Sequence, residues 1–140
     1  MVLGNFSMRN KFSFSLLNLL ISCSNSNASI VLDENTCEVS MNNQIEKLQV
    51  SPPCSLVTAG NGNKSFFQFN QSKVFIIAGT PAKLSKLTRW SVKESDNCSL
   101  EYQGVIVLKN KFSLSEVKGK GLVCPKIGLD EKFYQQFVKN

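Results

Sequence analysis

Lys73-Val74-Phe75-Ile76-Ile77-Ala78 is a compact apolar run that Gly79 ends, and its length and boundary read as a central strand. A second run of the same kind, Val105-Ile106-Val107-Leu108, closes a stretch from Leu100 that is mainly strand, interrupted by Gly104. Around these two runs the pattern alternates, as a half-buried strand requires. Phe67 and Phe69 alternate with Gln68 and Asn70, and Phe112 alternates with Leu114 across Ser113. Phe66 then faces the wetter side or joins a second cluster. Ser55 to Thr58 is expected to pair with Ser65 to Phe69, with Asn61-Gly62 as the tip, because Asn-Gly favours positive φ at both central turn positions.

Further out, Thr80-Pro81 resembles a helix start, with threonine as cap and proline in the first turn. The expected helix is Ala82 to Leu87, with Leu84 and Leu87 on one face. Trp90 and Val92 continue in an extended segment, and Lys93 to Asn97 reads as a turn. Asp130 can cap a terminal helix from Glu131 to Val138, whose Phe133, Tyr134, Phe137 and Val138 give one face for a sheet, with Lys139 at its C-terminal end. Upstream, Ile30-Val31-Leu32 begins a strand. Ile45, Leu48 and Val50 fit a strand or a short helix from Asn42, and Ser51-Pro52-Pro53-Cys54 is a break. No long crossover helix separates the strands. The expected class is therefore α+β: a mainly antiparallel sheet with a short internal helix and a C-terminal helix packed on it.

The opening residues read differently. From Met8, Arg9 and Lys11 form a short basic region, Phe12 to Ile21 is mostly apolar, and Ser/Asn residues follow. That is the layout of a bacterial export signal, too short and too interrupted to span a bilayer well. Leu20-Ile21-Ser22-Cys23 resembles a lipobox, in which Cys23 becomes the lipidated first residue. Cutting after Ser26-Asn27-Ala28 would instead release a soluble periplasmic or secreted protein. The expected organisation is a signal over 1–23, a flexible tether over 24–29 and a single domain over 30–140. The location is the periplasm, as an outer-membrane-anchored lipoprotein.

Cysteine parity supports the anchor. With Cys23 lipidated, Cys37, Cys54, Cys98 and Cys124 remain, an even number suited to an oxidising compartment. Four cysteines allow three pairings. Cys37 with Cys54 and Cys98 with Cys124 is the pairing that closes two local loops.

The chain carries a net charge of +6, and Arg9 and Lys11 leave with the signal. The remaining basic residues are lysines except Arg89, which suits a solvated face more than bidentate phosphate contacts, so no nucleic-acid partner is expected. There is no histidine, which removes His-containing triads, histidine general bases and His/Cys zinc sites. No cysteines form CxxC. Neither a cofactor nor a metal is expected. Gly60-Asn61-Gly62-Asn63-Lys64-Ser65 echoes a phosphate loop without its spacing. Glycosidase-type chemistry needs two facing carboxylates. Glu94, Asp96, Glu101, Glu116, Asp130 and Glu131 occupy turn-like or helix-capping positions, and nothing in the sequence pairs two of them. The Asn-X-Ser triplets at Asn27, Asn63, Asn70 and Asn97 are chance occurrences in an Asn/Ser-rich bacterial chain.

Surface recognition is what the composition leaves. Arg89, Trp90, Tyr102, Phe66 and Tyr134 are types enriched at binding hot spots. Lys83, Lys86, Arg89 and Trp90 fall together on one short segment suited to an acidic protein partner, unless Trp90 is simply a core residue with a basic flank. The Asn61-Gly62 tip is a second candidate. The sequence points to a small, non-catalytic exported binding protein, such as an inhibitor or immunity protein, that meets a membrane only through an N-terminal lipid. A structural envelope or pilus-associated lipoprotein is one alternative, and a carboxylate-dependent envelope hydrolase is another.

Overall fold

The computed structural model describes residues 29–119 and 121–138, so the export signal, Cys23, most of the tether and Lys139 lie outside the described residues. Val31–Asp33 (β1), Glu38–Met41 (β2) and Gln44–Lys47 (β3) form an antiparallel meander. Ser55–Leu56 (β4), Phe66–Phe69 (β5), Ser72–Ala78 (β6), Tyr102–Leu108 (β7) and Lys111–Leu114 (β8) form a second antiparallel sheet. β6 pairs with β7 along its whole length, from Ser72 opposite Leu108 to Ala78 opposite Tyr102. β4 and β5 lie in tandem on its other edge. A single α-helix, Glu131–Gln135 (α1), and two 3-10 turns, Leu84–Lys86 and Glu94–Asp96, complete the described chain. The class is α+β and mainly β.

The apolar run of β6 is continuous because both of its faces are covered. Phe75 and Ile77 point toward the meander and pack with Val39, Met41, Leu48 and Val50. Val74, Ile76 and Ala78 point the other way and pack with Val57, Tyr102, Val123, Tyr134 and Phe137. Fully burying a Val, Ile or Phe contributes roughly 1.5–3 kcal/mol relative to exposure. An antiparallel sheet with one wet face would have alternated instead. Phe66 belongs to the meander side, 5.3 Å from the Phe75 ring.

α1 starts as its sequence requires, with an Asp130 carboxylate oxygen accepting from the Phe133 N–H at 2.9 Å. It stops at Gln135, short of Val138, because Phe137 and Val138 donate three residues back, to the Tyr134 and Gln135 carbonyls. Tyr134 is fully buried and donates its hydroxyl to the Val57 carbonyl at 3.1 Å. Gly104 continues β7 and leaves room for a ring: a Cβ there would lie 2.6 Å from Phe137 Cδ1.

Two expectations are corrected. Ser55 to Thr58 does not pair with Ser65 to Phe69. Val57 donates to Ile76, Thr58 to Pro125 and Gly60 to Leu129, so that segment is already committed. Asn61-Gly62 closes only a small loop, in which Ala59 donates to Lys64. The hairpin partner of β5 is β6, through a two-residue turn at Asn70-Gln71. The internal helix from Ala82 to Leu87 is likewise absent. Thr80 donates to Ser51 and Ala82 to Cys98, which pins the first turn elsewhere and leaves one 3-10 turn. Leu87 is buried, but Leu84 is 47% exposed.

Two polar side chains join the sheets. Gln44 accepts from the Phe112 N–H at 3.0 Å and donates to the Phe112 carbonyl at 2.8 Å, which caps the outer edge of β8. Buried Gln103 accepts from Gln49 N–H and donates to the Ser115 carbonyl, both at 2.8 Å.

The two ends of the strands differ. Disulfides Cys37–Cys54 and Cys98–Cys124 lie where β6 finishes and β7 starts. Closing such loops contributes about 3 kcal/mol each in the chain-entropy picture. At the opposite end are three two-residue turns: Asn42-Asn43, Asn70-Gln71 and Lys109-Asn110.

Candidate binding surface on a stapled excursion

β6 and β7 are hydrogen-bonded neighbours, yet the chain travels from Gly79 to Glu101 between them. That exceeds the roughly 12–15 residues beyond which a connection without its own helix or strand is uncommon and usually functional. Its path is fixed at several points. Gly79 donates to Glu101, and Ala82 to Cys98, both at 2.9 Å. Lys86, Leu87 and Trp90 each donate three residues back, to Lys83, Leu84 and Leu87. Leu87 and the Cys98–Cys124 bridge form a small third core, on which half-buried Ala82, Trp90, Val92, Leu100 and Leu122 pack.

This local core turns the charged side chains outward. Lys83, Lys86 and Arg89 are exposed, and the Arg89 guanidinium carbon lies 5.2 Å from the centroid of the half-buried Trp90 ring. A cation over an indole contributes about 0.5–1 kcal/mol at an exposed site and holds the planar donor fork outward. No ion pair within 4.0 Å forms among the described residues, so these cations are not neutralised from within. A depression of about 260 Å³ separates the two 3-10 turns, with Lys83 and Lys93 beside it. The four candidate residues are thus brought onto one segment.

The other candidates sort differently. Tyr102 and Tyr134 are core residues, and half-buried Phe66 packs on the core beside the meander. Asn61 and Gly62 are exposed, and their loop leans on Gly128, where a Cβ would meet the Gly60 carbonyl oxygen. Several carboxylates satisfy backbone donors: Asp96 accepts from Lys93 N–H at 2.8 Å, Glu101 from Ser51 N–H at 2.6 Å, and Asp130 caps α1. Asp33 accepts from the Thr36 and Asn35 N–H groups, and these bonds hold its carboxyl below the usual range. Glu94, Glu116 and Glu131 are exposed on separate segments. Among the described residues, no group of three or more His, Cys, Asp or Glu side chains is placed to hold a metal ion. None of their helices is long and apolar enough to cross a membrane.

A groove of about 610 Å³ between β8 and the end of α1 escaped the sequence reading. Its floor includes Ile106, Leu114, Phe137 and Val138, with Ser72 and Ser113 beside them. The signal for it was indirect, since Ile106 lies on the helix face of the sheet and a five-residue helix leaves it only half-buried. Compared with known proteins, the chain matches no family model, no curated protein and no solved structure.

Proposed function

We propose that this chain is a small exported, non-catalytic binding protein of the inhibitor or immunity type, and that its Lys83–Trp90 turn contacts an acidic protein surface. The observation that carries the reading is the stapled excursion with Arg89 laid over Trp90. A disulfide-tied loop loses little conformational entropy when it docks, and Arg and Trp are the side chains that most often dominate an interface. Two disulfides suit an oxidising compartment. In this reading Cys23 carries a lipid, and the domain works in the periplasm from the outer membrane.

The test is affinity capture of the processed protein from its own envelope fraction, side by side with a Lys86→Glu/Arg89→Glu variant. A stoichiometric partner held by the wild type and lost by the variant supports the reading. Equal capture by both removes the turn from the interface, and no reproducible partner sinks the inhibitor reading. Intact mass decides the anchor, since native protein without a diacylglyceryl group on Cys23 is not a lipoprotein.

A further inference from the structure

The end of the molecule opposite the disulfides has its own chemistry. Pairing of Ser72 with Leu108 sets the Asn70-Gln71 turn beside the Lys109-Asn110 turn, and Asn42 Nδ2 donates to the Asn110 carbonyl at 3.3 Å. Every residue of the three turns is exposed, as are Lys111 and Leu108, the latter at 48%. Lys73 lies at the same end, its ammonium 5.0 Å from the Phe66 ring centroid. The stretches Met41–Gln44, Phe69–Lys73 and Leu108–Phe112 contain three lysines and no carboxylate.

Lys109 occupies an unusual backbone position. The first residue of each turn has positive φ: Asn42 at 54°, Asn70 at 53° and Lys109 at 57°. Asparagine is the residue, after glycine, that tolerates this region, whereas a lysine there carries a steric cost. Among the described residues no hydrogen bond or ion pair holds the Lys109 ammonium.

The route of the chain says what this end faces. β1 runs antiparallel to β2 with Val31 opposite Ser40, so the N-terminal chain enters the domain beside the Asn42-Asn43 turn. Only residues 24–30 separate Cys23 from β1, a reach of at most about 29 Å even when fully extended. With a lipid on Cys23, the turn end is the end from which the tether runs to the bilayer.

The geometry points to a second membrane contact: the turn end, through Lys109 and Lys111 with Leu108 beside them, binds an anionic lipid surface. Its orientation rests on the proposed anchor, while its affinity for anionic headgroups does not. A cationic patch beside a lipid anchor adds electrostatic attraction to anionic headgroups. Each lysine near an anionic surface strengthens binding about fivefold at physiological ionic strength.

The test uses the processed protein, its N-terminus and any acyl group defined by intact mass. It is mixed with brominated phosphatidylcholine vesicles containing either no anionic lipid or phosphatidylglycerol at one third. The chain has a single tryptophan, Trp90, at the far end, so the wild type is its own control. Leu108→Trp should be quenched by the bromines more strongly when phosphatidylglycerol is present, and high salt should remove that difference. Trp90 of the wild type should not be quenched. Asn110→Trp gives the same readout if Leu108→Trp fails to fold. Lys109→Asn keeps the backbone conformation, so it should match or exceed wild-type stability while weakening phosphatidylglycerol-dependent binding about fivefold. Quenching that ignores phosphatidylglycerol, or quenching of Trp90 instead, would each overturn the inference. If Cys23 carries no lipid yet the processed protein still co-sediments with phosphatidylglycerol vesicles, the anchor fails and the lipid-binding surface stands. If the protein is acylated but its binding ignores phosphatidylglycerol, the anchor stands and the lipid-binding surface fails.

Discussion

Replacing Gly104 by alanine tests how α1 is held on the sheet. The new methyl would stand 2.6 Å from Phe137 Cδ1 and 3.0 Å from its Cγ and Cε1. Carbon atoms pack at about 3.5–4.0 Å, so the ring must retreat by roughly 1 Å. Phe137 is 8% exposed, and Tyr102 stands edge-on to it with 6.4 Å between ring centroids. Overpacking of this kind costs about 1–3 kcal/mol, and removing a glycine from a strand returns roughly 0.5–1 kcal/mol. The net loss should be about 1–2 kcal/mol, which lowers Tm by roughly 4–8 °C for a domain of this size. Urea unfolding of the oxidised protein measures it. Gly119→Ala serves as control, because nothing lies within 4 Å of its added methyl. The decisive comparison is a double-mutant cycle: with Phe137→Ala already present, Gly104→Ala should become neutral or slightly stabilising. An undiminished penalty in that background would show that the ring contact is not its source. Because Phe137 and Val138 also form part of the groove, the same variant should alter the groove wall.

Other outcomes follow from single contacts. Gln44→Ala leaves the Phe112 N–H and carbonyl on an uncapped edge, so stability should fall by about 1–2 kcal/mol. Hydrogen exchange at Phe112 should then rise more than at Val107, its neighbour across the ladder. Replacing Cys98 and Cys124 by serine removes about 3 kcal/mol and unpins the excursion. Trypsin should then cut at Lys83, Lys86 or Arg89 before Lys73 in β6; earlier cleavage at Lys73 would mean that the third core holds without its bridge. Tyr134→Phe should lose about 1 kcal/mol with the Val57 bond. Burial pushes the Tyr134 phenol up, so the stability it contributes is complete below the unfolded phenol value of 10.0 and is lost as pH rises beyond it. The phenylalanine variant should therefore show a shallower alkaline decline in urea midpoint, with Tyr102, also raised by burial, carrying the remainder.

Much of the architecture was legible where one local rule acted alone. The β6 and β7 runs marked the centre of the sheet, Asp130 marked the start of α1, and the nearest-in-sequence cysteines were the bonded ones. Errors arose where backbone groups had a competing partner far away in sequence. Asn61-Gly62 has the strongest local turn chemistry, but the strand leading into it is taken up by Ile76, Pro125 and Leu129. The turns that do reverse the sheets carry Asn-Asn, Asn-Gln and Lys-Asn, which are weaker signals until the strand register is known. Thr80-Pro81 met the capping rule, yet so short a helix has little intrinsic stability, and bonds to Ser51 and Cys98 outweigh it. For the Lys83–Trp90 segment, the clustering of Lys, Arg and Trp was visible in one dimension. The small core beneath it was not, because Leu122 and Cys124 come from a distant stretch.

The contrast between the two ends has one physical origin. At about 3.3 Å per residue, seven-residue β6 and β7 keep the ends roughly 20 Å apart. At the turn end each connection is two residues long, so strand pairing alone fixes its shape and no covalent tie is needed. At the other end the connections are long, and their closure entropy grows with length. Both disulfides are placed there, one tying the meander to the entry of β4 and the other pinning the excursion to the stretch before α1. The result is a rigid loop surface bearing Arg89 and Trp90 at the end remote from the N-terminal chain. Anchoring at Cys23 would direct that surface away from the bilayer and hold the lysine-bearing turns toward it. The entry point of the N-terminal chain follows from the antiparallel sense of β1 and β2. Fusing a membrane anchor after Val138 in place of the N-terminal one should present the excursion differently, because α1 packs against β5 and β6 on the far side of the sheet from the meander. Partner capture on intact vesicles should then fall while capture by detergent-solubilised protein stays unchanged. Equal loss in detergent would mean that the fusion had damaged the fold rather than turned it.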